Sequence, residues 1–599
     1  MSISDNRSLS MVGIKGRRPG PNRILGVILA ILLTYLILAP VLLLLADAVL
    51  IHARDVSGLG RPAGSFTLFY LHRALRSRVS PIIFWRPLVN TIFAASVITV
   101  LSLSIGYFLA WVITRTDIKL KKLYANLAVI PFMLPSWSFA AAWLTLFKNR
   151  RIAGPPGFME IFGATPPDFI SYGLIPITLC LSLHYFPLAY IMFGNAFQRI
   201  DSQLEESAQL LGASRRKTAW LILLPIMKPA IMSAVLLTFA RTVGTFGTPY
   251  TLGRPVNFDT LSTTLYSSFR GGSPGVMSVI AIAMVLIGAT LVATDVVMFK
   301  EAKRFITMSG KGQMSRPANL GISRIPLTVV TGALLFIAVV IPLVVLMLST
   351  VMVTPGWFKA DNFTSQFWFA KITPIREGVA GLFRDPVVLR VIGNSVLSAG
   401  LGAVICGVLG TLVGYATIRL HPALLSKYLR YVSFLPYLVP GIGFSAAYLL
   451  LFAVPRGPIP ALYGTLALLV LAMGIMYLPY SARSSIASIS QMGSEPEEAA
   501  MILGARWFTR FRLIVMPIQR RAIFAGMLLA FIQGMNELSL VIMLAVPGME
   551  VLTTLSIRYT DNALLQMSNG VILIIVVVTF ILTFIAQRLS GSNFAQGLG

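Results

Sequence analysis

Long apolar stretches recur along the whole chain, separated by short polar breaks. Each approaches the roughly twenty residues that a helix needs to cross about 30 Å of hydrocarbon. They predict twelve membrane-crossing helices, at 24–50, 88–114, 124–147, 170–196, 226–250, 275–299, 326–352, 391–418, 429–454, 462–485, 518–545 and 567–587. The strict alternation of apolar and polar residues that marks a membrane β-barrel does not occur. The expected fold class is therefore an all-α membrane protein. The first apolar stretch follows the basic segment KGRRPGPNR and reads as a retained anchor rather than a cleaved signal.

The pattern repeats. LEESAQLLGASRRKTAWLILLP, Leu204 to Pro225, aligns without a gap to PEEAAMILGARWFTRFRLIVMP, Pro496 to Pro517. The match spreads outward: Asn90 falls opposite Asn394, Arg115 opposite Arg419, Pro131 and Pro135 opposite Pro436 and Pro440, and Pro187 opposite Pro479. The chain reads as a tandem duplication of a six-helix unit, 1–300 and 326–599, joined by a polar linker at 301–325. Six crossings return each unit to its starting side, so the copies share one topology and can pair about an axis along the membrane normal.

The repeated polar loop has its own logic. Acidic residues at its start suit a helix N-terminus, whose partial charge is positive. A short apolar face follows, then Gly212 or Gly504, which permits the left-handed backbone that ends a helix. Basic residues lead into the next crossing. An amphipathic hairpin lying on lipid headgroups would look similar in a single copy; two copies at matched points suit a partner with two equivalent sockets.

At these residues the sequence resembles a known family. Glu-Ala-Ala, a glycine three residues after the second alanine, and a proline before the next crossing form the signature of permease subunits of binding-protein-dependent ABC importers. EEAAMILG…MP matches it, and EESAQLLG…LP departs by Ser207. The resemblance implies that Glu205, Glu206, Ala208 and Gly212, with Glu497, Glu498, Ala499, Ala500 and Gly504, form loops that couple to ATPases. It implies two copies of a cytoplasmic ATPase subunit carrying ATP and Mg, and a periplasmic substrate-binding protein. The stretches TFGTPYTLGRPVNFDTLSTTLY and NELSLVIMLAVPGMEVLTTLSIRYTDNALLQMSNG resemble the fused ferric iron permeases, whose relatives import thiamine, polyamines, aminoethylphosphonate and sugar phosphates. Ferric iron is the expected cargo, with a small anionic or phosphorylated organic solute, a polyamine or thiamine as the alternatives. Asn536 stands where the family often has a basic residue.

Composition refines this picture. Hydrophobic residues make up 56% of the 599 positions, and the mean hydropathy of +0.80 lies outside the soluble range. The net charge of +28 is scattered through short loops rather than gathered on one face, which argues against nucleic-acid binding. Lys and Arg are denser in the loops that share a side with both termini, which places the termini and repeated loops in the cytoplasm; the resemblance implies that the membrane is a bacterial inner membrane. No GxxxxGK[ST] phosphate loop is present; SGKGQMS at Ser309–Ser315 lacks the first glycine. ATP hydrolysis therefore belongs to a separate chain, and this one is expected to be neither an enzyme nor a binder of any cofactor. Cys180 and Cys406 sit inside apolar runs and the four histidines lack metal-ligand spacing.

The candidate pathway residues are polar groups within predicted crossings. Glu537 is the one acid placed well inside a span, and such groups face a cavity or a partner. Its counterpart is Thr245, and nearby Arg241 corresponds to Gln533, so a Glu537–Arg241 pair across the interface is one reading and a ligand contact with Asn536 another. Asn90 and Asn394 either line the pathway or bond between helices. The external loops at about 51–87, 148–169 and 353–390 should carry the binding-protein surface. Two other classes stay open here: an ion-coupled secondary transporter, expected to carry more intramembrane acids, and a passive scaffold. The repeated acidic-glycine loops argue against both.

Overall fold

The computed structural model describes residues 21–153, 156–200, 205, 207–208, 210–302, 318–373, 379–420, 423–437, 439–456 and 459–590. Glu206 and most of the linker lie outside this set. Among the described residues, nine helices are long and apolar enough to cross a membrane. In chain order they are Pro21–Asp47, Pro81–Arg115, Asp168–Gln198, Trp220–Val243, Pro274–Leu291, Gly321–Thr350, Pro386–Arg419, Trp507–Met535 and Leu565–Arg588. Counting three bent helix pairs as one crossing each gives twelve.

Those three crossings differ from the sequence expectation of single helices. The third is Lys121–Met133 with Ser136–Phe147, bent by 93°, and the ninth is Ala423–Tyr437 with Gly441–Phe452, bent by 109°. The tenth, Leu466–Met476 with Leu478–Gln491, bends by 41°. Proline explains the first two. A residue ahead of proline is driven out of the helical region, and Leu134 is extended, with φ −89° and ψ 149°, ahead of Pro135. Pro135 and its counterpart Pro440 both adopt ψ 137° and start the second limb. The fifth and eleventh helices also stop short of expectation, at Val243 and Met535.

Proline also shapes the helices it does not break. One widened, π-type turn occurs at Thr34–Leu38, Pro81–Trp85, Ala219–Leu223, Phe336–Val340 and Phe511–Val515. Each is followed by a proline at the second residue beyond it: Pro40, Pro87, Pro225, Pro342 and Pro517. A proline ring collides with the carbonyl four residues back, which here lies inside the wide turn and is displaced by it. The first and seventh crossings share this device, as do the fifth and eleventh, so the duplication reaches backbone detail.

Packing repeats too. A Cβ on Gly106 would fall 2.6 Å from Ala189 and 2.8 Å from the Tyr190 nitrogen, and one on the matching Gly410 would fall 2.5 Å from Ser481. The missing side chains thus let the second crossing seat against the fourth, and the eighth against the tenth, at near backbone contact. The leading helix of each unit crosses to the other unit. Tyr428 lies 2.5 Å from Thr34 and Tyr448 donates to the Leu36 carbonyl at 2.9 Å. On the other side, Tyr124 donates to the Thr328 carbonyl at 3.2 Å. The units contiguous in sequence are exchanged in space.

Candidate functional site

Four chain breaks meet at the middle of the bundle. Two are the bends at Pro135 and Pro440. The others follow the fifth and eleventh helices, where the chain leaves Val243 and Met535 and restarts as the short helices Gly247–Gly253 and Val541–Leu544. They border a cavity of about 80 Å³ lined by residues of both units, among them Trp137, His184, Arg241, Tyr437, Asn536 and Glu537. Broken helices at mid-membrane are tolerated where they line a cavity, since freed backbone groups need partners there. Asn536 supplies one, donating its side-chain amide to the Met133 carbonyl of the other unit at 2.8 Å.

The frame around the cavity is symmetric. Tyr185 bonds Thr245 at 2.7 Å and reaches the Arg241 carbonyl at 3.4 Å. The matching Tyr477 bonds Glu537 and reaches the Gln533 carbonyl at 3.2 Å. Ser262 donates to the Thr245 carbonyl and Thr553 to that of Glu537, each at 2.8 Å. The side chains hung on this frame are not symmetric: Arg241 corresponds to Gln533 and Thr245 to Glu537.

Glu537 therefore sits in a break just past a helix end, not within a span. Nor does it form an ion pair with Arg241 among the described residues. Its carboxylate accepts from the Tyr477 hydroxyl and from the Leu540 backbone N–H at 2.8 Å. The Arg241 guanidinium reaches into the other unit, donates to the Tyr480 hydroxyl, and stands 4.4 Å from the centre of the Tyr437 ring. Cation–π contact of this kind is favourable where water is excluded. His184 turns Nδ1 to the Pro131 carbonyl at 3.0 Å.

Asn90 and Asn394 are not among the cavity-lining residues. They donate to the carbonyls of Asp259 and Glu550 at 2.9 and 3.0 Å. Their neighbours Thr91 and Ser395 accept from the backbone N–H of Leu261 and Leu552 at 2.8 and 2.7 Å. Thr91 and Ser395 thereby satisfy the first N–H of a short helix, Leu261–Arg270 or Leu552–Asp561, while Asn90 and Asn394 hold the chain two residues ahead of it. Each asparagine thus ties its long helix to the loop that leads into a short one.

The repeated loops form the second matched feature. Ala213 N–H bonds the Ala208 carbonyl and Ala505 N–H that of Ala500, both at 2.9 Å. Gly212 and Gly504 sit at φ +83° and +80°. This is a helix ended by a left-handed glycine with a bond spanning the turn. It projects a bare apolar tip: Leu210 and Leu211 are 88% and 90% exposed, Ile502 and Leu503 86% and 87%. Ala208 is half-buried behind its tip, as is Ala500, whereas Ala499 and Glu498 are exposed.

Glu205 and Glu497 point the other way. Arg115, the last residue of the second crossing, bonds Glu205 at 2.5 Å. Its counterpart Arg419, ending the eighth, bonds Glu497 at 2.9 Å and the Gly493 carbonyl at 2.5 Å. Glu497 also accepts from Tyr415 at 2.8 Å. These arginines escaped assignment in the sequence although their alignment was visible, because nothing local links residue 115 to 205 or 419 to 497.

A duplicated bundle with broken helices at its waist and two matched projecting loops is the architecture of a membrane permease. The model of the family described as binding-protein-dependent transport system inner membrane component matches residues 102–298 and again 407–592, and the chain belongs to that family. It is a multi-pass inner-membrane permease of an ABC importer, working with a substrate-binding protein and with an ATPase on a separate subunit, and is not itself an enzyme. Among its relatives, the ferric transport system permease protein of Actinobacillus pleuropneumoniae is 23% identical over 83% of this chain and 70% of its own length. An Fe(3+)-transport system permease protein of Haemophilus influenzae is 24% identical over 84% of this chain and 89% of its own. The molybdenum transport system permease protein of Escherichia coli is 27% identical but covers 34% of this chain, so that it corresponds to a single unit.

Proposed function

We propose that this permease imports ferric iron, handed over by its binding protein, and that the loops at 205–212 and 495–504 seat in two copies of the ATPase on the cytoplasmic side, where ATP and Mg are bound. The termini share that side. The observation that carries the coupling reading is the pair of equivalent apolar tips, Leu210–Leu211 and Ile502–Leu503, nearly fully exposed yet tied through Glu205 and Glu497 to long core helices. A bare apolar pair on a polar loop fits a socket better than water. A rigid loop moved by its socket carries the attached helix with it and rocks one unit against the other. Iron is favoured because the ferric relatives span both units.

Replacing Leu503 with aspartate should weaken ATPase association by about thirtyfold, roughly 2 kcal/mol, the scale of an anchor residue in an interface. Leu211→Asp should do the same at the other socket. Copurification of the ATPase with the tagged permease measures this, and undiminished recovery in the double variant would remove the coupling reading. The cargo is tested on the binding protein: its melting temperature should rise with ferric iron and not with thiamine or a polyamine.

A further inference from the structure

The start of the first helix is fastened to the second repeated loop, which belongs to the opposite unit. Trp507, three residues past Gly504, donates its indole N–H to the Asn22 side-chain oxygen at 2.7 Å. The indole lies nearly parallel to the Phe511 ring, centres 5.3 Å apart, and meets Tyr415 edge-on at 6.0 Å. Tyr415 packs edge-on against Phe511 at 5.2 Å and donates its hydroxyl to Glu497 at 2.8 Å. Leu25 packs over the buried part of this cluster, which Ile489 and Val515 complete. A Cβ on Gly26 would fall 2.7 Å from Leu420, so the first helix also lies close against the residue that follows Arg419. An unbroken set of contacts therefore runs from Asn22 in one unit to the carboxylate that anchors the helix Glu495–Ile502 in the other.

We propose that Asn22 is a positioning residue for coupling, acting through Trp507 to hold the Tyr415 hydroxyl on Glu497, so that the second loop moves as one body with the first helix of the opposite unit. An indole has a single polar atom, and a half-buried one is oriented by whichever acceptor it finds. With its N–H on Asn22 and its face on Phe511, Trp507 cannot turn without losing both contacts. A displacement of the second loop by its ATPase then enters both units at once, through Arg419 into the eighth crossing and through Trp507 into the first. The inference rests on the coupling reading of the loops and deepens it by making them unequal. In the first unit Trp111, Arg215 and Ala219 stand at the positions of Tyr415, Trp507 and Phe511, so the three-ring cluster has no copy there. The Glu205 side chain is correspondingly 27% exposed, against 8% for Glu497.

The test uses the complete transporter, with ATPase and binding protein, in nanodiscs. Two quantities are read: amide exchange across Glu495–Ile502, and the stimulation of ATP hydrolysis by the binding protein. Asn22→Ala should speed the exchange about fivefold, the worth of one hydrogen bond, and lower the stimulation with it. Asn22→Asp, which still offers an acceptor, should stay close to native. Trp507→Phe, which keeps a ring and loses the donor, should match Asn22→Ala, and the double variant should be no worse than either single one, as expected of two ends of one interaction. Recovery of the ATPase with each tagged variant checks assembly. Native stimulation in Asn22→Ala, whether or not exchange rises, would overturn the positioning role, as would additive effects in the double variant. If that happens while Leu211→Asp/Leu503→Asp loses its ATPase, the coupling reading survives without the tie to the first helix; if the tip variant keeps its ATPase, both fall.

Discussion

Gly504→Val will let ATP hydrolysis continue while import stops. The glycine sits at φ +80°, and a Cβ there would meet no atom within 4 Å. Crowding therefore contributes nothing, and the whole penalty is conformational. A left-handed backbone costs an ordinary residue about 1–2 kcal/mol, and a β-branched one more. Rather than carry that strain at an exposed turn, the loop will unwind, and Ile502 and Leu503 will lose their aim. The substitution should be graded: Asn, which tolerates this region, close to native, Ala intermediate, Val worst. ATP hydrolysed per solute imported is the quantity to measure. Native coupling in the valine variant would mean that the turn does not set the position of the tip.

The second large effect belongs to Arg419. Its removal, as Arg419→Met, strands the Glu497 carboxylate, whose side chain is 8% exposed. Breaking a buried pair from one side typically costs about 3–5 kcal/mol. Here Tyr415 still donates to the carboxylate, so about 3 kcal/mol is expected, felt as faster amide exchange across the helix Glu495–Ile502. The matching Arg115→Met should cost less, since the Glu205 side chain is 27% exposed and water can replace the lost partner. Adding Glu497→Gln to the Arg419 variant should recover part of the loss. Equal exchange in the native protein and in Arg419→Met would show that the pair is not what holds the loop to the core helix.

Much of this molecule is legible in its sequence because bilayer thickness leaves little freedom. Helix lengths are fixed by the hydrocarbon, and polar loops must surface, so the twelve crossings and their duplication follow from apolar runs and aligned motifs. The breaks were less legible. Apolar runs continue on both sides of Pro135 and Pro440, and the physics of proline, applied to aligned positions, signals the turn. Side-chain roles within the bundle were least legible. Asn90 and Asn394 look like pathway groups because polar residues are rare in crossings, yet they donate to the backbone just ahead of two short helices. Arg241 and Glu537 look like a pair because opposite charges attract, yet each finds tyrosine nearer than the other. Whether a buried charge meets a carboxylate, a ring or a cavity depends on helix rotation, which a one-dimensional pattern does not encode when the helices are apolar on every side.

The exchanged leading helices bear on what a peptide bond is needed for. Thr34 and Thr328 each meet a tyrosine of the opposite unit, so each half wears the other's first helix as a clasp. A clasp resists separation but permits rocking, which is the freedom that alternate opening requires. The fusion at the linker is then a matter of expression in equal amounts rather than of cohesion. The halves made as two polypeptides, cut between residues 302 and 318, should find each other in the bilayer and copurify through detergent.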